Sequence, residues 1–191
     1  MDAAPISLIQ DAGWLSTQLA LASRRYRTRD EPVLGVLWWY SASLVLLGPV
    51  VESSADPASV TLLVEPDGRV LSATASSLCT NPGPRLREVI SASVGSLSGL
   101  TGASERALWA ITTDSLANRV LWASGRPADA VALARAVGPE LPVPRFVEVG
   151  GRTVVRRASC CLVYETPGAD KCVSCPRQTP ADRMARLARG V

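Results

Sequence analysis

Histidine is missing altogether from the 191 residues. Its absence removes a Rieske-type centre, a Cys2His2 zinc finger and any Ser-His or Cys-His catalytic pair within the chain. It also removes the usual proton carrier near neutral pH. Electron transfer, which needs no such carrier, survives. Strong charge is lacking as well: 20 Lys and Arg stand against 17 Asp and Glu, a net +3. That is too little to argue for nucleic acid, and no nucleic-acid partner is expected. The N-terminus, Met1-Asp2-Ala3-Ala4-Pro5, is acidic and has no basic n-region, so no secretory signal is expected. Without export, clustered cysteines read as metal ligands before disulfides, and the expected compartment is the cytoplasm.

Apolar residues are plentiful, at 47% of the chain, which is enough for a packed core. Val33 to Val51 carries no charge over nineteen residues, within the length range of a membrane span. Its serines, its Gly48-Pro49 and the mid-segment position of Trp38, Trp39 and Tyr40 favour a buried core helix instead, and membrane association is not expected. A first helix is read from Ile6 to Tyr26, and a second from Val33 to about Leu47, ended by Gly48-Pro49. Two β-prone runs, Val60–Val64 and Val70–Thr74, flank Pro66-Asp67-Gly68 and predict a hairpin. Helices follow over Arg85–Leu97, from the N-cap Ser104 to about Ser124, and from Pro127 to Val137. A second hairpin is predicted where Phe146–Val149 and Thr153–Val155 flank Gly150-Gly151. A last helix spans Asp182–Arg189. The expected fold is α+β: a mainly helical body with two β-hairpins and a C-terminal metal-binding segment. The division of the chain is 1–144 for the helical body with one hairpin, and 145–191 for the second hairpin plus that segment.

Four of the five cysteines lie in the segment: Cys160, Cys161, Cys172 and Cys175, spaced C-C-x10-C-x2-C and followed by Pro176. A Cys-x-x-Cys turn lets two sulfurs converge on one centre. An adjacent Cys-Cys pair in a strand points to opposite faces, so both reach one centre only if the backbone bends there. A binuclear iron–sulfur cluster offers more room for that adjacency than one tetrahedral zinc. On the residues alone an iron–sulfur cluster, a zinc staple and disulfides all stay open, in that order of preference. Cys79, isolated before Asn81-Pro82-Gly83-Pro84, reads as a packed side chain and not as a fifth ligand.

The string Arg-Arg-Ala-Ser-Cys-Cys-Leu-Val-Tyr, continued by Cys-Val-Ser-Cys-Pro, resembles the C-terminal signature of the FhuF-type ferric-siderophore reductases. The resemblance implies a [2Fe–2S] cluster held by Cys160, Cys161, Cys172 and Cys175. It also implies an oxidoreductase that reduces an Fe(III)-siderophore by one electron to release Fe(II). A ferric siderophore and an electron donor such as a ferredoxin or flavoprotein would be its partners. Readings from other classes are a zinc-stapled interaction or nucleic-acid-binding module, and an iron–sulfur redox sensor.

The charge is unevenly spread. Residues 145–191 hold nine Lys and Arg against four Asp and Glu, so the basic character belongs to the cysteine segment. Arg152, Arg156, Arg157, Lys171 and Arg177 surround the motif and are candidates for docking substrate or donor. Arg183, Arg186 and Arg189 read as the exposed stripe of a short helix. The tryptophans read chiefly as core. Trp38-Trp39-Tyr40 is set apart, because three consecutive helical aromatics cannot face one core and at least one must meet another element or a ligand. Trp38 and Trp39 are therefore added to the docking candidates.

Overall fold

The structure, a computed structural model, describes residues 1–189. It is 57% helical, with six α-helices and two small antiparallel sheets among the described residues, an α+β fold. The chain runs β1 (Asp2–Pro5), a 3-10 turn at Ile6–Gln10, α1 (Ala12–Tyr26), α2 (Glu31–Ser53), β2 (Val60–Val64), β3 (Val70–Ala75), α3 (Pro82–Thr101), α4 (Glu105–Trp122), α5 (Pro127–Val137), β4 (Phe146–Val149), β5 (Arg152–Val155) and α6 (Pro180–Arg189). Both predicted hairpins form. β2 pairs with β3 around the Pro-Asp-Gly turn, and β4 pairs with β5 around the paired glycines.

Three expectations are corrected. The N-terminal helix begins at Ala12 and not at Ile6, because Asp11 caps it by accepting the Trp14 N–H at 2.7 Å. The four residues Asp2–Pro5 form an unforeseen edge strand antiparallel to β2, with Pro5 at its end, where a missing N–H costs no ladder bond. Gly48-Pro49 does not end α2, which runs on to Ser53. Pro49 removes the N–H that the Val45 carbonyl would accept. One turn away, Arg119 Nε donates to the Leu44 carbonyl at 2.6 Å. Its guanidinium passes 3.3 Å from where a Cβ on Gly48 would sit. Buried Leu46, Leu47 and Val50 hold the flanks of the proline in the core.

α2 is the spine of the fold. Its most apolar window is long and apolar enough to cross a membrane, yet 78% of that window is buried within the protein. It is covered by α4 on one side and by α1, α3 and β3 on others, which explains why it is apolar all round. The α2–α4 seam carries polar pins. Trp39 Nε1 donates to the Leu108 carbonyl at 3.1 Å and to Thr112 Oγ1 at 2.9 Å. Ser43 and Ser115 hydroxyls meet at 2.9 Å. Each pin matches a buried donor to an acceptor, so this seam has one register.

The three adjacent aromatics meet three different neighbours. Trp38 stacks edge-on against Trp14 of α1, with centroids 6.0 Å apart. Trp39 is pinned to α4. Tyr40 lies under the guanidinium of Arg157 at 5.0 Å, from the cysteine segment. Trp122, unlike the other tryptophans, is 61% exposed, with Arg119 over its ring.

Candidate metal centre

β5 delivers the chain onto α4, where a single carboxylate receives it. Asp114, 1% exposed, accepts the Ala158 N–H at 2.8 Å and the Ser159 N–H at 3.1 Å. Arg157 Nε approaches the same carboxylate at 3.4 Å. Burial pushes the Asp114 carboxyl up, against the two amides and Arg157, which stabilise its charge. This clamp fixes the three residues before Cys160. Sequence reasoning missed Asp114. The available signal was a lone acid in Thr112-Thr113-Asp114-Ser115, in the middle of a helix that packs on α2.

Beyond the clamp the backbone bends as an adjacent cysteine pair requires. Cys160 and Cys161 lie outside any strand, and Leu162 follows in the left-handed region at φ 61°. The Leu162 N–H points at Cys160 Sγ, 3.5 Å away. A 3-10 turn, Val163–Glu165, and the turn at Thr166–Ala169 carry the chain round to Cys172. There the Cys175 N–H closes the Cys-x-x-Cys turn on the Cys172 carbonyl at 3.0 Å. Gln178 Nε2 holds that same carbonyl at 2.7 Å. Arg186, read from sequence as part of an exposed stripe, donates to the Lys171 carbonyl at 2.7 Å and ties α6 to the loop.

All five cysteines are free thiols, and Cys79 lies apart, its N–H on the Ser54 carbonyl. The other four come together. Cys160 and Cys175 sulfurs are 3.6 Å apart. Cys161 lies beside them: its thiol is held well below its ordinary value by hydrogen bonds from Cys160 and Cys172, then by the Val163 N–H and Arg157, against burial. Cys160 and Cys172 are pushed up in turn, first by Cys161. The site is enclosed, with Cys160 8%, Cys161 5% and Cys175 1% exposed. Cys172 is half-buried.

Four thiolates match the donor set of a [2Fe–2S] cluster. Two thiolates on one tetrahedral metal, at bonds of about 2.3 Å, stand about 3.8 Å apart, close to the Cys160–Cys175 separation. Among the described residues, no three His, Cys, Asp or Glu side chains gather around one ion. A binuclear cluster asks for two pairs instead. The donor set therefore fits the cluster.

The docking candidates divide. Arg152, Arg156, Lys171 and Arg177 are exposed. Arg157 is not a surface charge: it is 7% exposed and turned inward. Trp38 and Trp39, at 1% and 0% exposed, are core side chains and line no surface site. A groove of about 400 Å³ opens beside Cys160 between α4 and the cysteine segment, walled by Val36, Ala107, Ala110 and Leu162 with Arg106 and Arg177 at its rim. Arg106 was not foreseen, since only the packing of α4 brings it there.

Residues 157–177 match the model of the FhuF 2Fe-2S C-terminal domain, a stretch that starts at Arg157 and takes in all four cysteines. No curated protein matches the chain. The zinc-staple reading gives way to the cluster, and [2Fe–2S] is the cofactor. Over this C-terminal stretch the chain is similar to the FhuF-type family, as its cysteine spacing implies.

Proposed function

We propose that the protein is a cytoplasmic ferric-siderophore reductase whose [2Fe–2S] cluster is held by Cys160, Cys161, Cys172 and Cys175. Residues 1–144 would act as the body that presents the 145–191 unit. The observation that carries the reading is the FhuF 2Fe-2S match over the four cysteines, set in a structure where one of them, Cys160, lines an accessible groove.

A bound cluster supplies one-electron transfer. The chain's residues do the rest. Asp114, through the Ala158 and Ser159 amides, fixes the approach to Cys160. The Leu162 N–H and the enclosing walls restrict water and set the electrostatic surroundings of the sulfurs. The groove's apolar walls suit the organic frame of a chelate, and Arg106 and Arg177 suit its negative charge. Arg152, Arg156 and Lys171, exposed elsewhere on the segment, would steer an acidic one-electron donor such as a ferredoxin or flavoprotein. The balance is simple: the donor loses one electron and the bound Fe(III) gains it. Fe(III) is a hard ion held by hard oxygen donors, and Fe(II) is held far less tightly by them, so reduction releases the iron with the chelator intact.

The test uses full-length protein, purified anaerobically and reduced with dithionite. Ferric hydroxamate, catecholate and mixed chelates are added in turn, with reoxidation followed in the visible and Fe(II) captured by a chromogenic trap. Reoxidation with stoichiometric Fe(II) is expected for at least one chelate class. Reduced protein that gives electrons to none of them would leave the redox-sensor reading in place of the reductase.

A further inference from the structure

Arg157 is a buried cation with one nitrogen left over. Nε faces Asp114 Oδ2 at 3.4 Å, Nη1 faces Cys172 Sγ at 3.6 Å, and the guanidinium lies over the Tyr40 ring at 5.0 Å. Nη2 is buried and has no acceptor among the described residues. Removing a charge from water costs several kcal/mol unless it is matched. The match offered by Asp114 is shared, because that carboxylate also serves two backbone amides. A planar fork with a free donor, held beside sulfur, is suited to an anionic sulfur group.

One pair of sulfurs is in direct contact. Cys175 has its close sulfur neighbour in Cys160, at the separation of two ligands on one metal. That leaves Cys161 with Cys172, and the Arg157 guanidinium meets the sulfur of Cys172. The adjacent cysteines would then serve different irons, as the backbone bend between Cys160 and Leu162 allows. The guanidinium is nearer to one half of the site than to the other, so its charge is felt unequally.

We propose that Cys160 with Cys175 and Cys161 with Cys172 hold the two irons, and that Arg157 makes the Cys161–Cys172 iron the one that is reduced while raising the reduction potential of the cluster. Asp114 and Tyr40 are its positioning residues. One electron enters from the donor and one leaves to the ferric chelate; no atom is transferred, and Arg157 keeps its proton throughout. The inference rests on the four-cysteine ligand set and is independent of which chelate is the substrate.

The experiment compares wild type, Arg157→Gln, Arg157→Lys and Arg152→Gln as full-length, cluster-loaded proteins. The midpoint potential is titrated anaerobically in the visible. Arg157→Gln is expected to lower the reduction equilibrium constant at least tenfold, about 59 mV for one electron. Arg157→Lys should fall between, because it keeps the charge and loses the fork. Arg152→Gln, an exposed hairpin charge, should match wild type. A loaded Arg157→Gln protein with an unchanged potential overturns the role of Arg157, as does an equal drop in Arg152→Gln. If Arg157→Gln takes up no cluster, Arg157→Lys decides the potential by the same comparison. The pairing is read separately from Mössbauer spectra of 57Fe-loaded, reduced Cys172→Ser and Cys175→Ser. The ferrous doublet should move in the first and stay in the second, and the reverse pattern overturns the assignment. A wild-type protein that holds no [2Fe–2S] cluster would instead refute the ligand reading on which the inference rests.

Discussion

Asp114 is one carboxylate serving three donors, two of them backbone amides that have no other partner near the cysteines. Asp114→Ala would leave those amides unmatched and the buried guanidinium without its counter-charge. Breaking a buried pair from one side costs about 3–5 kcal/mol, so a loss of that order is expected in urea unfolding of the cluster-free protein. Asp114→Asn keeps an acceptor and should cost less. Equal stability of the alanine variant and wild type would remove the clamp from the account. A surface acid gives a different signature. Asp129 is held below the usual carboxylate range by the Arg126 side chain and then its backbone N–H. A depressed carboxyl stabilises the fold above its unfolded value, near pH 3.9, and loses that contribution as pH falls through its folded value. Asp129→Asn should therefore lower the melting temperature near neutral pH, and the difference from wild type should close as the pH falls through the depressed folded value. The effect is small, because the pair is exposed. A difference that persists in acid would place its cause elsewhere.

At the scale of elements, α3 shows what packing asks of glycine. A Cβ on Gly83 would stand 2.6 Å from the Ala136 carbonyl oxygen and 2.7 Å from its carbon, backbone atoms of α5 that cannot swing aside. A Cβ on Gly95 would meet nothing within 4 Å. Gly83→Ala is therefore expected to cost about 1–3 kcal/mol by overpacking, and Gly95→Ala to gain about 1 kcal/mol of helix propensity. Thermal unfolding of the two variants should move in opposite directions; movement in the same direction would mean that the α3–α5 approach is not close. The same helix shows where sequence reading succeeds. Pro82 reads equally as turn or as first helical residue, so the start of α3 was placed late at Arg85, whereas its existence was plain from its period. The hairpins were legible because Pro-Asp-Gly and Gly-Gly dictate their own geometry over a few residues. The cysteine motif was legible for the same local reason. Asp114, 43 positions from Arg157, Arg106 at the groove, and Arg119 donating to the Leu44 carbonyl 75 positions away were not. Their roles exist only once α4 has packed on α2 and the segment on α4.

At the scale of the molecule, the core and the cysteine site are joined through few groups. The apolar cluster runs from Ala4 to Leu141 and includes no cysteine, with Leu162 packed only against its edge. Asp114, Tyr40 and Arg157 make the polar seam between the two. Loss of the cluster should therefore loosen the segment without unfolding the body. Cys161→Ala removes the thiol that neighbours both Cys160 and Cys172 and, unlike serine, leaves no oxygen to take the sulfur's place. It is expected to abolish the visible charge-transfer bands while the far-ultraviolet helical signal, set by α1 to α5, stays near that of wild type. Trypsin supplies the spatial readout: cleavage should accelerate at Lys171, Arg177 and Arg186, which the folded segment restrains through Lys171 on the Arg177 carbonyl and Arg186 on the Lys171 carbonyl. Arg119, anchored in the α2–α4 seam, should stay protected. An intact visible spectrum would remove Cys161 from the ligand set. A collapse of helicity in step with the lost colour would show instead that the body depends on the cluster for its fold, with Asp114 and Arg157 as the route, since the buried carboxylate on α4 would then have lost the guanidinium that balances it.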